Sequence, residues 1–306
     1  MILVTRSRLL QISIFAMGLA AVVFWLTTLT GMSGQVENAG PYVPTPQVVV
    51  DEMLKMANVG PNDFVIDLGS GDGRIVLTAA RQYKAHGFGV DIDRTLVEQS
   101  NKQAKRDGVA DRVVFYERDV FLTDISKATV LTVYLLPEAM TKLRPRFLSE
   151  LRPGTRIVSH DYHLDDWSPD NEIVLDVPEK KRVTGLPKAS VYLWVVPAKV
   201  DGKWETEVPA IRGRMHLQLA LTQAFQKIEG IATEGRRSSR LYGATLHGDE
   251  IRFSLSSDAK GTVRDEFVGR VNGDRIEGFV LLAGGKSKAK WHAKRVAGTQ
   301  GDLGQR

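Results

Sequence analysis

The distribution of apolar and polar positions divides the chain into three stretches. Residues 9–29, LLQISIFAMGLAAVVFWLTTL, are uncharged throughout. As a helix this run would rise roughly 31 Å, close to the thickness of a bilayer core. From residue 46 onward, short apolar runs alternate with amphipathic segments. Val48, Val49, Met53, Leu54 and Met56 give 46–58 a helical spacing. Strand patterns follow at 64–68, 87–93, 112–120, 129–136 and 155–160, with helical patterns at 74–83, 94–106 and 137–151. Continuous apolar strands separated by helices predict an α/β fold, a parallel sheet covered on both faces. The runs 171–177 and 189–198 have no helix between them and predict an antiparallel hairpin at one edge.

Beyond Pro197 the helical period is lost. Short alternating runs are broken by turn signals, among them HGDE (247–250) and NGDR (272–275). LYGATLHGDEI (241–251) echoes FVGRVNGDRI (267–276), and 217–228 fits either helix or strand, with strand preferred. The third stretch is therefore expected to be a small antiparallel β-domain, a curled sheet or open barrel. The expected organisation is an anchor at 1–32, a linker at 33–41, an α/β domain at 42–198, a β-domain at 199–297 and a tail at 298–306.

Composition narrows the chemistry. The 306 residues include no cysteine, which excludes disulfides, thiolate zinc sites and cysteine nucleophiles. The net charge is +5, and its excess sits late in the chain: 19 Lys and Arg stand against 13 Asp and Glu over 198–306, but 22 against 23 over 1–197. A solvated cationic surface accounts for this, and an acidic partner, an anionic membrane face or RNA, is the alternative. Arg6 and Arg8 precede the apolar run and Trp25 lies toward its far end, which favours an uncleaved single-pass anchor through 9–29 over a secretory signal.

The segment DLGSGDGRIVLTAA (67–80) places Gly69, Gly71 and Gly73 between a strand and a helix. Glycines there let the backbone approach a ligand at the carboxyl edge of the sheet. A Walker loop would require Lys-Ser or Lys-Thr after the last glycine, and the dinucleotide fingerprint spaces its third glycine one residue later. S-adenosylmethionine fits better. Asp67 can meet its amino group, and the helix beginning near Arg74 can meet its carboxylate. Asp91, ending the second strand, can take both ribose hydroxyls. Asp119, after the third strand, is within reach of the adenine, with Val120 and Phe121 as packing against the ring.

YVPTP (42–46), DLGSGDGRIV (67–76), GVDID (89–93), ATVLTVYLLP (128–137), PGTRIVSHDY (153–162) and YLWVVPA (192–198) together give the chain its family likeness. Residues 42–198 resemble the class I S-adenosylmethionine-dependent methyltransferases. They are most similar to a bacterial membrane-anchored group akin to the mitochondrial lysine methyltransferases of the ADP/ATP translocase and of ATP synthase. The resemblance implies a Rossmann-like seven-stranded sheet, S-adenosylmethionine as cofactor and lysine as acceptor. It does not extend to the β-domain. It also implies that Tyr42 and Thr45 border cofactor and acceptor, Thr45 on the cofactor side, and that Tyr134 lines the acceptor channel. Glu138 and His160 are candidate proton acceptors. In SHDYHLDDW (159–167), His160, Asp161, His163, Asp165 and Asp166 have the composition of a metal site, but a substrate-facing loop is the preferred reading.

The expected function is an N-methyltransferase acting on lysine of a membrane-associated protein. The alternatives are a small-molecule or lipid methyltransferase, a non-catalytic cofactor-binding scaffold and a nicotinamide oxidoreductase. Nucleic acid is not expected as a partner. The two N-terminal arginines favour an outward-facing domain, whereas an intracellular cofactor requires a cytoplasmic one; the expectation follows the cofactor.

Overall fold

Seven strands and five helices build the first part of the fold, in the order α1 (Gln47–Met56), β1 (Phe64–Leu68), α2 (Arg74–Tyr83), β2 (His86–Asp91), α3 (Arg94–Arg106), β3 (Val113–Glu117), β4 (Val130–Val133), α4 (Pro137–Glu150), β5 (Arg156–His160), β6 (Asn171–Asp176), α5 (Lys181–Thr184) and β7 (Lys188–Val195). The computed structural model describes residues 42–210, 213–256, 264–282 and 284–301. The expected anchor at 9–29 lies outside them; among the described residues no helix is long and apolar enough to cross a membrane.

The sheet runs β3-β2-β1-β4-β5-β7-β6. β1 to β5 are parallel, and β7 runs antiparallel between β5 and β6, so the edge hairpin forms as expected. Both faces are covered, which is why β1 and β4 carry almost no polar residue. On one face Val49, Val50, Met53 and Leu54 of α1 pack with Ile75 and Ala79 of α2. On the other, Met140, Leu143 and Phe147 of α4 pack with Trp167 and Trp194. The chain moves outward from β1 to β3 and then returns to place β4 on β1's other side. The carboxyl ends of β1 and β4 consequently flank a crevice at the switch point.

Several strands end before their patterns do, among them the 129–136 run, which is strand only at Val130–Val133. The 112–120 run ends as strand at Glu117, because the Asp119 carboxylate accepts the Phe121 N–H at 2.8 Å and folds 120–122 into a 3-10 turn. The 217–228 run is strand, as expected, but is divided by a turn at Phe225–Gln226.

The second sheet has nine antiparallel strands: β8 (Gly202–Ala210), β9 (Gly213–Ala224), β10 (Lys227–Glu234), β11 (Arg237–Arg240), β12 (Tyr242–His247), β13 (Glu250–Ser256), β14 (Arg264–Asn272), β15 (Arg275–Leu282) and β16 (Ser287–Arg295), ordered β11-β10-β9-β8-β16-β15-β14-β13-β12. HGDE and NGDR both form two-residue hairpins, with Gly248 and Gly273 at φ 58° in the first loop position. This is the conformation of a II′ turn, which suits glycine. Alternate residues enter a core in which Phe253 and Phe267 stack at 4.8 Å and Trp291 meets Phe267 edge-on at 5.2 Å. β10 packs beside β12 and β11 beside β13, bringing the two ends of the strand order together. The sheet is accordingly curled, as the alternation predicts.

Candidate active site

The glycine turn after β1 is held from both sides. Gly69 and Ser70 donate their N–H groups to Val90 O at 2.9 and 2.8 Å. Gly71 N–H donates to Asp91 Oδ2 at 2.8 Å, while Asp91 Oδ1 accepts Asp93 N–H at 2.9 Å. Gly69, Gly71 and Gly73 have φ of 78°, 52° and 77°, a region that side-chain-bearing residues seldom adopt. A Cβ on Gly71 would strike the Tyr42 ring, so Tyr42 lies over the turn. Burial and the neighbouring Asp72 push the Tyr42 phenol up. Arg74 anchors the same approach, donating to Asp72 Oδ1 at 2.9 Å and to Thr45 O at 2.8 Å.

Asp67 is 2% exposed and accepts one hydrogen bond, from Thr132 Oγ1 at 2.7 Å. Burial lifts its carboxyl to about 7, opposed by the Thr132 bond and assisted by the nearby Asp91 charge. Ser70 Oγ is buried without a hydrogen-bond partner. Asp119 caps its turn with the carboxylate partly open. Beside these acids, Ile92 and Leu122 remain 44% and 80% exposed. The crevice therefore combines unspent polar groups with uncovered apolar side chains, the mixture that a ligand with charged and flat aromatic ends would consume.

A second cluster forms at the ends of β4 and β5. The Tyr134 and His160 rings lie 4.0 Å apart, and Tyr162 stacks on Tyr134 at 6.1 Å. Thr45 Oγ1 and His160 Nδ1 share a 3.2 Å hydrogen bond, which places the Thr45 side chain at the end of β5. His160 Nε2 is buried without a hydrogen bond, 3.5 Å from Asp161 Oδ2. Burial lowers His160 to about 4, against the opposing pull of Asp161; the ring is neutral at pH 7. Asp161 has φ 63°. It pairs with the Ser190 backbone in both directions, N–H to Ser190 O at 2.8 Å and Oδ1 from Ser190 N–H at 3.1 Å. Its Oδ2 receives Tyr134 OH at 3.4 Å and Lys180 Nζ. Burial and the Asp161 charge hold the Tyr134 phenol far above its usual range.

The remaining candidates separate. Glu138 is exposed in the first turn of α4, where its charge suits the helix N-terminus. In 159–167, His160 points inward, His163 meets the Tyr192 ring, and Asp165 and Asp166 pair with Arg144. Among the described residues no three such groups are placed to hold a metal. Sequence reasoning missed Ser70, Ile92, Asp161's role and Lys180. Asp161 was visible only as part of an acidic segment. Lys180 gave no signal, because its partner lies 19 residues away and across a hairpin.

Comparison with known proteins identifies a matching family, sequence relatives and a similar solved structure. The family described as the ANTKMT methyltransferase domain matches residues 67–171. A protein-lysine N-methyltransferase of Saccharolobus islandicus is 38% identical over 51% of this chain and 93% of its own. A lysine N-methyltransferase of Xenopus laevis, named for an ATP synthase component, is 32% identical over 43% of this chain, and the adenine nucleotide translocase lysine N-methyltransferase of Mus musculus 31% over 42%. The match spans little more than half of each of these two, 57% and 56%. Among solved structures, an RNA methyltransferase from Salinibacter ruber in complex with S-adenosyl-L-homocysteine is 47% identical, covering 52% of this chain and 96% of its own, with a TM-score of 0.47.

Proposed function

Because the chain belongs to the class I S-adenosylmethionine-dependent protein-lysine methyltransferases, we propose that it methylates the ε-amino nitrogen of a lysine on a membrane-associated protein. Its cofactor is S-adenosylmethionine, and its fold is the Rossmann-like methyltransferase fold followed by an antiparallel sheet. One arrangement carries the reading: a glycine turn flanked by Asp67 and Asp91 that opens at the same sheet edge as Tyr134, His160 and Asp161.

The residues present suit this cofactor. Asp67 is a buried acid poised to ionise beside a cation, and would take the amino group. Ser70 Oγ supplies an unused hydrogen bond. The Asp91 carboxylate would bind the ribose hydroxyls, and Asp119, with Ile92 and Leu122, would hold the adenine. The first-turn N–H groups of α2 would face the α-carboxylate. When bound, S-adenosylmethionine supplies a methyl group already activated on sulfonium. The protein's task is then to orient and desolvate the acceptor. Tyr134 and Tyr162 offer aromatic faces that hold an ammonium. Their apolar bodies and the neutral His160 disfavour its charge, which eases deprotonation of the lysine. With its pKa raised, Tyr134 keeps its proton and acts as a donor.

The names of the Xenopus and Mus relatives support a protein lysine as acceptor. The uncharged run 9–29 supports a bilayer tether, and the intracellular cofactor supports a catalytic part on the cytoplasmic side; the divisions at 42–198 and 199–297 complete the proposed organisation. The test is incubation of the full chain with methyl-labelled donor and membrane fractions. Label should remain with protein after lipid extraction, and Asp91→Ala should weaken cofactor binding roughly 10–150-fold, the loss of a charged hydrogen bond. Label that partitions into the lipid extract would instead identify a lipid methyltransferase.

A further inference from the structure

The segment joining β6 to β7 carries one inward-facing cation. Val177 and Lys180 are buried, while Glu179, Lys181, Arg182, Val183 and Leu186 are exposed. Lys180 is 6% exposed and places its Nζ between the Asp161 carboxylate and Lys188 O, the latter at 2.8 Å. Tyr134 OH and His160 Nε2 stand within 3.5 Å of the same Asp161 oxygen. The walls around this ammonium are therefore a carboxylate, a carbonyl and two aromatic rings, at the carboxyl ends of β4 and β5.

We propose that this is the seat of the acceptor's ammonium: Asp161 binds the substrate lysine as it arrives, charged and before its proton is lost, and Lys180 holds the position until then. The inference rests on the lysine-methyltransferase reading and names the residue that recognises the substrate's charge. A lysine side chain already fits the site, as the chain's own does. Asp161 adopts a left-handed backbone conformation and spends its N–H and one carboxylate oxygen on the Ser190 backbone, which aims the other oxygen at the seat. Such strain is retained where geometry serves a function. The Asp161 side chain keeps 20% of its surface in solvent, so an amine can reach it. The segment that must withdraw is a single 3-10 turn and a four-residue helix ending at Gly185, whose φ of 79° suits glycine. It belongs to the kind of short, exposed element that opens at low free energy.

Removing Lys180 should leave a charged carboxylate that an alkylammonium can fill. In full-length Lys180→Ala, n-butylammonium chloride should raise the melting midpoint by about 2–4 °C at about five times its dissociation constant, whereas tetramethylammonium chloride should not. Wild type, its seat filled, should not respond, nor should Lys180→Ala/Asp161→Asn. A cooperative melt of Lys180→Ala that ignores n-butylammonium, or a response that survives Asp161→Asn, overturns the proposal. A second arm leaves Lys180 in place: Asp161→Asn should raise the KM for a lysine peptide at least about tenfold, with S-adenosylhomocysteine affinity unchanged. A fall in kcat at constant KM would make Asp161 a structural residue and overturn the assignment. Failure of the wild type to bind S-adenosylhomocysteine would instead remove the methyltransferase reading beneath it.

Discussion

Asp67 shows how a single residue can link ligand binding to pH. Its folded pKa of about 7 lies above the ordinary carboxyl value because burial disfavours the anion. The folded chain therefore holds a proton that the unfolded chain has released between about pH 4 and 7, and this contribution to stability declines as pH rises through that window. A cationic amino group requires the ionised form. Cofactor affinity should accordingly rise from about pH 5 to about 7 and then level off, with proton release on binding at the lower pH. Calorimetric titration in buffers of different ionisation enthalpy measures both, and Asp67→Asn should flatten the pH dependence. The positions of Asp67, Asp91 and Asp119 at one sheet edge were legible in the sequence, because each ends or follows a strand of the same sheet and topology alone brings those ends together. Asp161 and Lys180 were not, because nothing local requires either to face the other.

At the level of elements, the bend from β1 into α2 depends on backbone freedom. Gly73, at φ 77°, caps α2; an added Cβ would come within 2.7 Å of the Phe115 ring and 2.9 Å of Ser100 Cβ. Gly73→Ala should lose roughly 2–4 kcal/mol from combined strain and overpacking, read as a lower urea midpoint with an unchanged slope. Element type followed the hydrophobic period almost everywhere, since strands buried on both faces admit only apolar runs and the hairpin turns carry their own glycines. The pattern failed where a side chain intervenes. Asp119 truncates a strand by capturing one N–H, and no periodicity reports that.

At the level of the whole molecule, the turn between β9 and β10 joins the two sheets. Phe225, at φ 53°, stacks on Trp167 at 5.5 Å and belongs to the core of the first sheet. Gln226 accepts Trp167 Nε1–H at 2.9 Å and donates to Ser168 O at 2.7 Å. Phe225→Ala should lose about 3–5 kcal/mol. Phe225→Ala/Gln226→Ala should divide one calorimetric transition into two, whereas an unchanged single transition would show that other contacts carry the coupling. A reading of isolated domains did not foresee this plug, which uses a turn that looked like uninterrupted strand. By itself the sequence determined the α/β succession, the curled antiparallel sheet and the glycine turn with acids at the neighbouring strand ends, because hydrophobic period, turn chemistry and strand-end acids act over a few residues. Only the tertiary structure decided that Lys180 meets Asp161, that Thr45 faces His160 and that Phe225 enters the neighbouring core, because those pairings depend on how distant segments close against one another.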